Sequence, residues 1–184
     1  ALGNGNLIAS NSFGGVQMFD AATAKNSVRA NSIFGNGGNG IDLYSGSNQS
    51  LPAPSLTSVT MGTNLSISVQ VTMPAQTTYH LDFYESSVFP AQGKFYIGTT
   101  DVTSAGVGGT LAFNLNLTAT IPANQLITVT ATDVAGNTSP FSNGQSVTLN
   151  SSANDGIPDA WRALYFGNAV TNNQSCATCD PDGD

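Results

Sequence analysis

Charge is scarce in this chain. Asp, Glu, Lys and Arg make up 8% of the 184 residues, against about 25% in an average soluble protein. Basic residues are scarcest: Lys25, Arg29, Lys94 and Arg162 stand against eleven acidic ones, giving a formal net charge of −7. Four scattered cations do not neutralise a phosphate backbone, which excludes nucleic acid and an anionic membrane surface as partners. No apolar run approaches the roughly eighteen residues that span a bilayer, so membrane insertion is not expected. The only histidine is His80, and the two cysteines are Cys176 and Cys179. Zinc needs four ligands and finds at most three here, one of them remote in sequence. A redox role for Cys176-Ala-Thr-Cys179 needs a βαβ setting that is missing, so a local disulfide in an exported loop is the plainer reading. His80 lies two residues from Asp82, on the same face of a strand. With no nucleophile singled out beside it, it reads as a packed or surface strand residue.

What fills the space is Asn, Ser, Thr and Gly, the residues of turns and strand faces, and the chain reads as mostly β. Its first quarter repeats at an offset of 25: Asn6-Leu7-Ile8, Asn11, Gly15-Val16 and Met18 recur as Asn31-Ser32-Ile33, Asn36, Gly40-Ile41 and Leu43. Fixed-period self-similarity signals stacked units. Apolar and polar side chains alternate over two- to five-residue pieces, so each piece is a short strand with one face inward. Asn sits where the chain turns, and Asn residues stacked in register can pair their amides between units. The expectation is specific: Ile8 beside Ile33, and Val16 beside Ile41.

The run Asn31-Ser-Ile-Phe-Gly-Asn-Gly-Gly-Asn-Gly-Ile-Asp-Leu43 resembles the closing coil of bacterial right-handed parallel β-helices of the pectin-lyase-like superfamily. The resemblance implies a coil region over residues 1–50, truncated at its start. It also implies a secreted or cell-surface protein. Lyases and glycosidases of that superfamily work with aligned carboxylates and a basic residue. Here Asp42 aligns with Gln17, and Asp20 with Ser45, so no carboxylate pair forms; Lys25 and Arg29 are the nearby cations. No catalytic residue is nominated.

A linker-like stretch, Ser45 to Pro54, leads into residues 51–149. Alternating runs predict seven strands: Ser55–Met61, Asn64–Thr72, Thr78–Glu85, Lys94–Asp101, Gly109–Leu117, Gln125–Asp133 and Gln145–Leu149. Seven short strands over about 100 residues argue for an antiparallel immunoglobulin-like β-sandwich. Val129 to Ser139 resembles the closing hairpin of bacterial modules of that kind, which in the β-helix family follow the last coil. The aromatics Tyr79, Phe83, Tyr84, Phe89, Phe95 and Tyr96 form either a sugar platform or, as the alternation favours, mostly sandwich core.

Residues 150–184 hold a short helix ending at Gly167-Asn168 and five of the eleven acidic residues: Asp155, Asp159, Asp180, Asp182 and Asp184. This tail resembles the EF-hand-like and thrombospondin type 3-like calcium loops of secreted bacterial proteins, which makes calcium the one cofactor to consider. Calcium wants six to eight oxygens and a glycine for the sharp turn. With Asp155 and Gly156 at loop positions five and six, Asp159 takes position nine. Arg162 then replaces the closing glutamate, a serious departure. Asp180, Asp182 and Asp184 match positions one, three and five, but the sequence ends before the glycine and closing glutamate, so this half-site is expected to be empty.

The sequence therefore predicts an all-β chain: last coils of a right-handed parallel β-helix packed on an antiparallel immunoglobulin-like sandwich, with a short C-terminal helix and acidic tail. The function it suggests is structural and adhesive, toward an extracellular glycan or a surface protein. The alternative is the C-terminal accessory region of a polysaccharide lyase or glycosidase whose active site lies upstream.

Overall fold

The computed structural model describes residues 5–86, 92–153 and 157–167. Within them the chain is all-β with one short helix. Four three-residue strands open it: β1 (Leu7–Ala9), β2 (Val16–Met18), β3 (Ser32–Phe34) and β4 (Ile41–Leu43). β1 pairs in parallel with β3, placing Ile8 opposite Ile33, and β2 with β4, placing Val16 opposite Ile41. The stagger is 25 residues in both ladders, as the sequence repeat requires.

Asparagine fixes that stagger. Asn31 Oδ1 accepts from the Asn6 backbone N (2.8 Å) and Nδ2 (3.1 Å). Asn36 Oδ1 accepts from the same two atoms of Asn11, at 3.1 and 2.8 Å. A one-residue slip would break both pairs together. Glycine lets the units approach: a Cβ on Gly37 would lie 2.3 Å from the Ser12 carbonyl oxygen, a separation no side chain tolerates.

The stretch from Ser45 to Pro54 is not the loose linker its composition suggests. Ser47 and Asn48 are fully buried. Asn48, Gln49 and Ser50 take successive left-handed conformations, with φ of 44°, 55° and 50°. Such a backbone costs about 1–2 kcal/mol per non-glycine residue. Asn48 offsets it: its Oδ1 accepts from Asn26 N (3.0 Å), and its Nδ2 donates to the carbonyls of Asn26 (2.8 Å) and Thr138 (3.0 Å).

Two four-stranded sheets follow. β5 (Ser55–Met61), β6 (Leu65–Met73) and β9 (Gly109–Leu117) form one with β12 (Thr148–Leu149), in the order β12-β5-β6-β9. β7 (Thr78–Ser86), β8 (Phe95–Thr103) and β10 (Leu126–Thr132) form the other with β11 (Gln145–Ser146), in the order β11-β10-β7-β8. All seven predicted strands are present, with ends within two residues of expectation. The last one is split at Val147, which is buried (1% exposed) and passes the chain from one sheet to the other.

Period-two alternation builds a single apolar core between the sheets. Leu65, Ile67, Val69, Val71 and Met73 of β6 meet Leu81 and Phe83 of β7 and Ile127, Val129 and Ala131 of β10 in one cluster. The outward positions of β7 and β10 should then face water. Instead Asp82, Tyr84, Thr128, Thr130 and Thr132 are at most 2% exposed. Arg29 and Ala30, between β2 and β3, bond Asp82 and Tyr84, while Gln92 and Thr138 bond Thr128 and Thr132.

The helix α1 (Asp159–Phe166) ends where expected. Gly167 takes φ 75° and its N–H bonds the Ala163 carbonyl at 3.0 Å, a left-handed glycine stop. No helix among the described residues is long and apolar enough to cross a membrane.

Candidate functional site

The covered face of β7 and β10 carries a dense set of polar contacts among the described residues. The Arg29 guanidinium grips Asp82 with two bonds, Nε to Oδ2 at 2.8 Å and Nη2 to Oδ1 at 3.0 Å, and reaches Thr99 Oγ1 at 3.2 Å. Asp82 is 1% exposed and Arg29 about a third exposed. The hydrogen bond to Asp82 raises the Arg29 pKa, against the opposing pull of desolvation. Next to it the Ala30 N–H donates to the Tyr84 hydroxyl at 3.0 Å. Burial, and then the Asp82 charge, hold the Tyr84 phenol far above its ordinary pKa.

The same junction continues along both neighbouring segments. Lys25 N donates to Asn137 Oδ1 (2.7 Å) and Val28 N to Thr138 Oγ1 (2.9 Å). On the open edge of β3, Ile33 N donates to the Gly93 carbonyl at 2.7 Å and Ser32 Oγ to the Lys94 carbonyl at 2.6 Å. Gln92, 2% exposed, closes a ring with Asn36. Its Oε1 accepts from Asn36 Nδ2 (2.9 Å), while its Nε2 donates to the carbonyls of Asn36 and Gly38, both at 3.0 Å. Two glycines admit the Phe141 ring. A Cβ on Gly40 or on Gly93 would lie 2.6 Å from that ring. Among the described residues, Thr130 Oγ1 is the only buried side-chain N or O without a partner.

Chemically this is a joint: Arg29 and Asp82 bond each other, and Tyr84 accepts from the Ala30 backbone. The two carboxylates weighed for lyase or glycosidase chemistry make bonds close by in the chain. Asp20 Oδ1 accepts from Ala22 N (2.9 Å) and Thr23 N (3.2 Å), and Asp42 Oδ1 accepts from Asn39 Nδ2 at 2.7 Å. Gln17 lies opposite Asp42, as aligned. His80 shares a face with Asp82 but its Nδ1 bonds Asp101 on β8, directly across the strand pair.

Of the five carboxylates considered for calcium, Asp159 alone lies within the described residues. Its Oδ1 accepts from Ser152 N and Oγ, both at 2.9 Å, and the buried Arg162 Nη1 is 3.5 Å away. A guanidinium beside that oxygen opposes a divalent cation there, and the bonds suit a carboxylate tying the first turn of α1 to the chain before it. Asp155, Asp180, Asp182 and Asp184 lie outside the described residues, as do Cys176 and Cys179. Among the described residues no group of three His, Cys, Asp or Glu side chains gathers.

The aromatics divide. Tyr79 and Phe83 belong to the core, and Tyr84 is buried in the junction. Phe95 is half-exposed. Lys94 Nζ sits between the Phe34 and Phe95 rings, 5.1 and 4.9 Å from their centroids. Phe89 is outside the described residues. Just past β2 and β4, Phe19 and Tyr44, 25 residues apart, stack at 4.8 Å and 8° while both stay exposed.

The junction escaped the sequence reading. A signal for it existed: the outward positions of β10 are Thr128, Thr130 and Thr132, with none of the Lys or Glu expected on a solvated face. No protein-family model matches the sequence, and no curated protein matches it.

Proposed function

We propose that this chain is a non-catalytic, structural and adhesive part of a secreted or cell-surface bacterial protein. In this reading residues 1–50 are the last coils of a right-handed parallel β-helix, and residues 51–149 are an immunoglobulin-like sandwich that closes them. The coil assignment is supported by two parallel ladders with one common stagger and by the asparagine pairs that enforce it. The sandwich assignment is supported by the strand order of its two sheets and their antiparallel pairing.

The observation that carries the proposal is the segment Gln92–Lys94 hydrogen-bonded onto the edge of β3. An uncovered strand edge pairs with other chains. Here the sandwich supplies the bonds that end the stack, and Arg29–Asp82 locks the orientation. The stack then presents exposed side chains such as Phe13, Phe19 and Tyr44 to a glycan or a surface protein.

Amide hydrogen exchange on the intact chain tests the closing role. The Ile33 and Asn36 amides should exchange as slowly as the sandwich-core amide of Val129. Gln92→Ala should accelerate them while Val129 stays protected. If the coil amides exchange rapidly in the unmodified protein, the sandwich does not close the stack. Binding to glycan and surface-protein arrays tests adhesion separately.

A further inference from the structure

We propose that a cleft at the end of the sandwich binds a single neutral pyranose unit of a glycan. It lies among the Gln49–Pro52 approach, the β6–β7 corner and the turn at Asp133-Val134. Its volume of about 480 Å³ lies within the ~300–1,000 Å³ range of small-ligand clefts. The proposal rests on the adhesive half of the reading above and gives it a site and a ligand class.

The walls are largely hydrocarbon: Leu51, Pro52, Met73, Pro74 and the 73%-exposed Val134. Oxygen-bearing groups come in from three separate segments. Tyr79 lines the cleft at 6% exposure; its hydroxyl bonds to no described residue and is reached by solvent. Asp133 accepts from Ala135 N (2.9 Å), Asn137 N (2.8 Å) and Asn137 Nδ2 (2.8 Å). A carboxylate offers about four acceptor positions, so one remains. Gln49 contributes its amide from a left-handed backbone position, φ 55°, and strain of that kind clusters at ligand sites. Thr77 is already committed, its hydroxyl donating to the Pro74 carbonyl at 2.8 Å.

This lining selects by exclusion. The cleft holds a carboxylate and no cation, so phosphates, uronates and other anions are repelled. A purely apolar occupant would shut the Tyr79 hydroxyl away from water without a bond, a cost of about 1–3 kcal/mol. A neutral sugar ring has a C–H face for the prolines and Val134. Its edge hydroxyls can meet Tyr79 Oη and the Asp133 carboxylate.

The test is an amide-resolved NMR titration of the whole chain with methyl β-D-glucopyranoside and methyl β-D-galactopyranoside at millimolar concentrations. Sodium glucuronate and cyclohexanol serve as the anionic and apolar counterparts. A neutral pyranoside should shift the amides of Gln49, Tyr79 and Val134. Tyr79→Phe keeps the ring in the core and should weaken that binding about fivefold, the size of one hydrogen bond, with the remaining spectrum unchanged. The proposal is overturned if neither pyranoside perturbs these amides. Equal binding by glucuronate or cyclohexanol overturns it too, as does undiminished affinity in Tyr79→Phe. Glycan binding that maps instead to Phe19 and Tyr44 overturns the cleft and leaves the adhesive role standing.

Discussion

Arg29 and Asp82 lie 53 residues apart in sequence and join the connection between β2 and β3 to the outer face of β7 through two hydrogen bonds, at 2.8 and 3.0 Å. Asp82 is the buried partner. Asp82→Asn or Arg29→Met should each destabilise the chain by about 3 kcal/mol, the low end for a buried pair because Arg29 is partly solvated. Arg29→Met combined with Asp82→Leu should recover much of that loss, since no uncompensated charge is left. Urea denaturation of the three variants measures the coupling; strict additivity would show that the pair is incidental.

The buried asparagine rung should matter more than the exposed one. Asn36 is 4% exposed and bonds Asn11, the Ile8 carbonyl and Gln92. Asn36→Ala strands several of those groups and should cost about 3 kcal/mol. Asn31→Ala, whose partner Asn6 is solvated, should cost about 1 kcal/mol or less. Comparable losses at both positions in chemical denaturation would count against burial as the deciding factor.

Close packing against Phe141 gives a steric prediction. A Cβ on Gly93 would lie 2.6 Å from the Phe141 ring and 2.7 Å from Tyr84 Cγ. Gly93→Ala should therefore cost about 1–3 kcal/mol by overpacking, and Phe141→Leu should relieve part of it in the double variant. On Gly98, in β8, a Cβ meets nothing within 4 Å. Gly98→Ala should leave the melting temperature unchanged or slightly raised.

Tyr84 predicts the alkaline limb of stability. Its folded pKa lies above the value of about 10 expected in the unfolded chain. Above pH 10 the unfolded state therefore releases a proton that the folded state retains. The stabilisation is complete below about pH 10 and falls as pH rises beyond it. Tyr79 and Tyr96 shift in the same direction, each mainly through burial. Melting temperatures between pH 8 and 11 should show the fall. Tyr84→Phe should lower the neutral value, because Ala30 N loses its acceptor, and flatten the alkaline slope.

Much of the fold could be read from residue order because its determinants are local. The 25-residue repeat placed Ile8 against Ile33 and Val16 against Ile41, and Asn6, Asn11, Asn31 and Asn36 sit where the amide pairs form. Strand alternation located β5 to β10 within two residues. The junction stayed hidden because nothing in the neighbourhood of Arg29 names a partner on a strand 53 positions later. Alternation also assigns one face of each strand to water by default. Asp82, Tyr84 and the three β10 threonines follow that pattern and are nonetheless enclosed. The cleft was illegible for the same reason: Gln49, Tyr79 and Asp133 meet only after the sheets have packed.

β12 runs parallel to β5, with Thr148 beside Thr60 and Leu149 beside Met61, and Asn150 N extends the pairing to the Met61 carbonyl at 2.9 Å. Strands so arranged enter and leave the domain at opposite ends. Tension drawn between the region before β5 and the region after β12 stretches all of these bonds at once, in shear. An antiparallel pair pulled from one end would unzip bond by bond. A domain pulled from its two ends gains mechanical endurance from that single choice of strand direction.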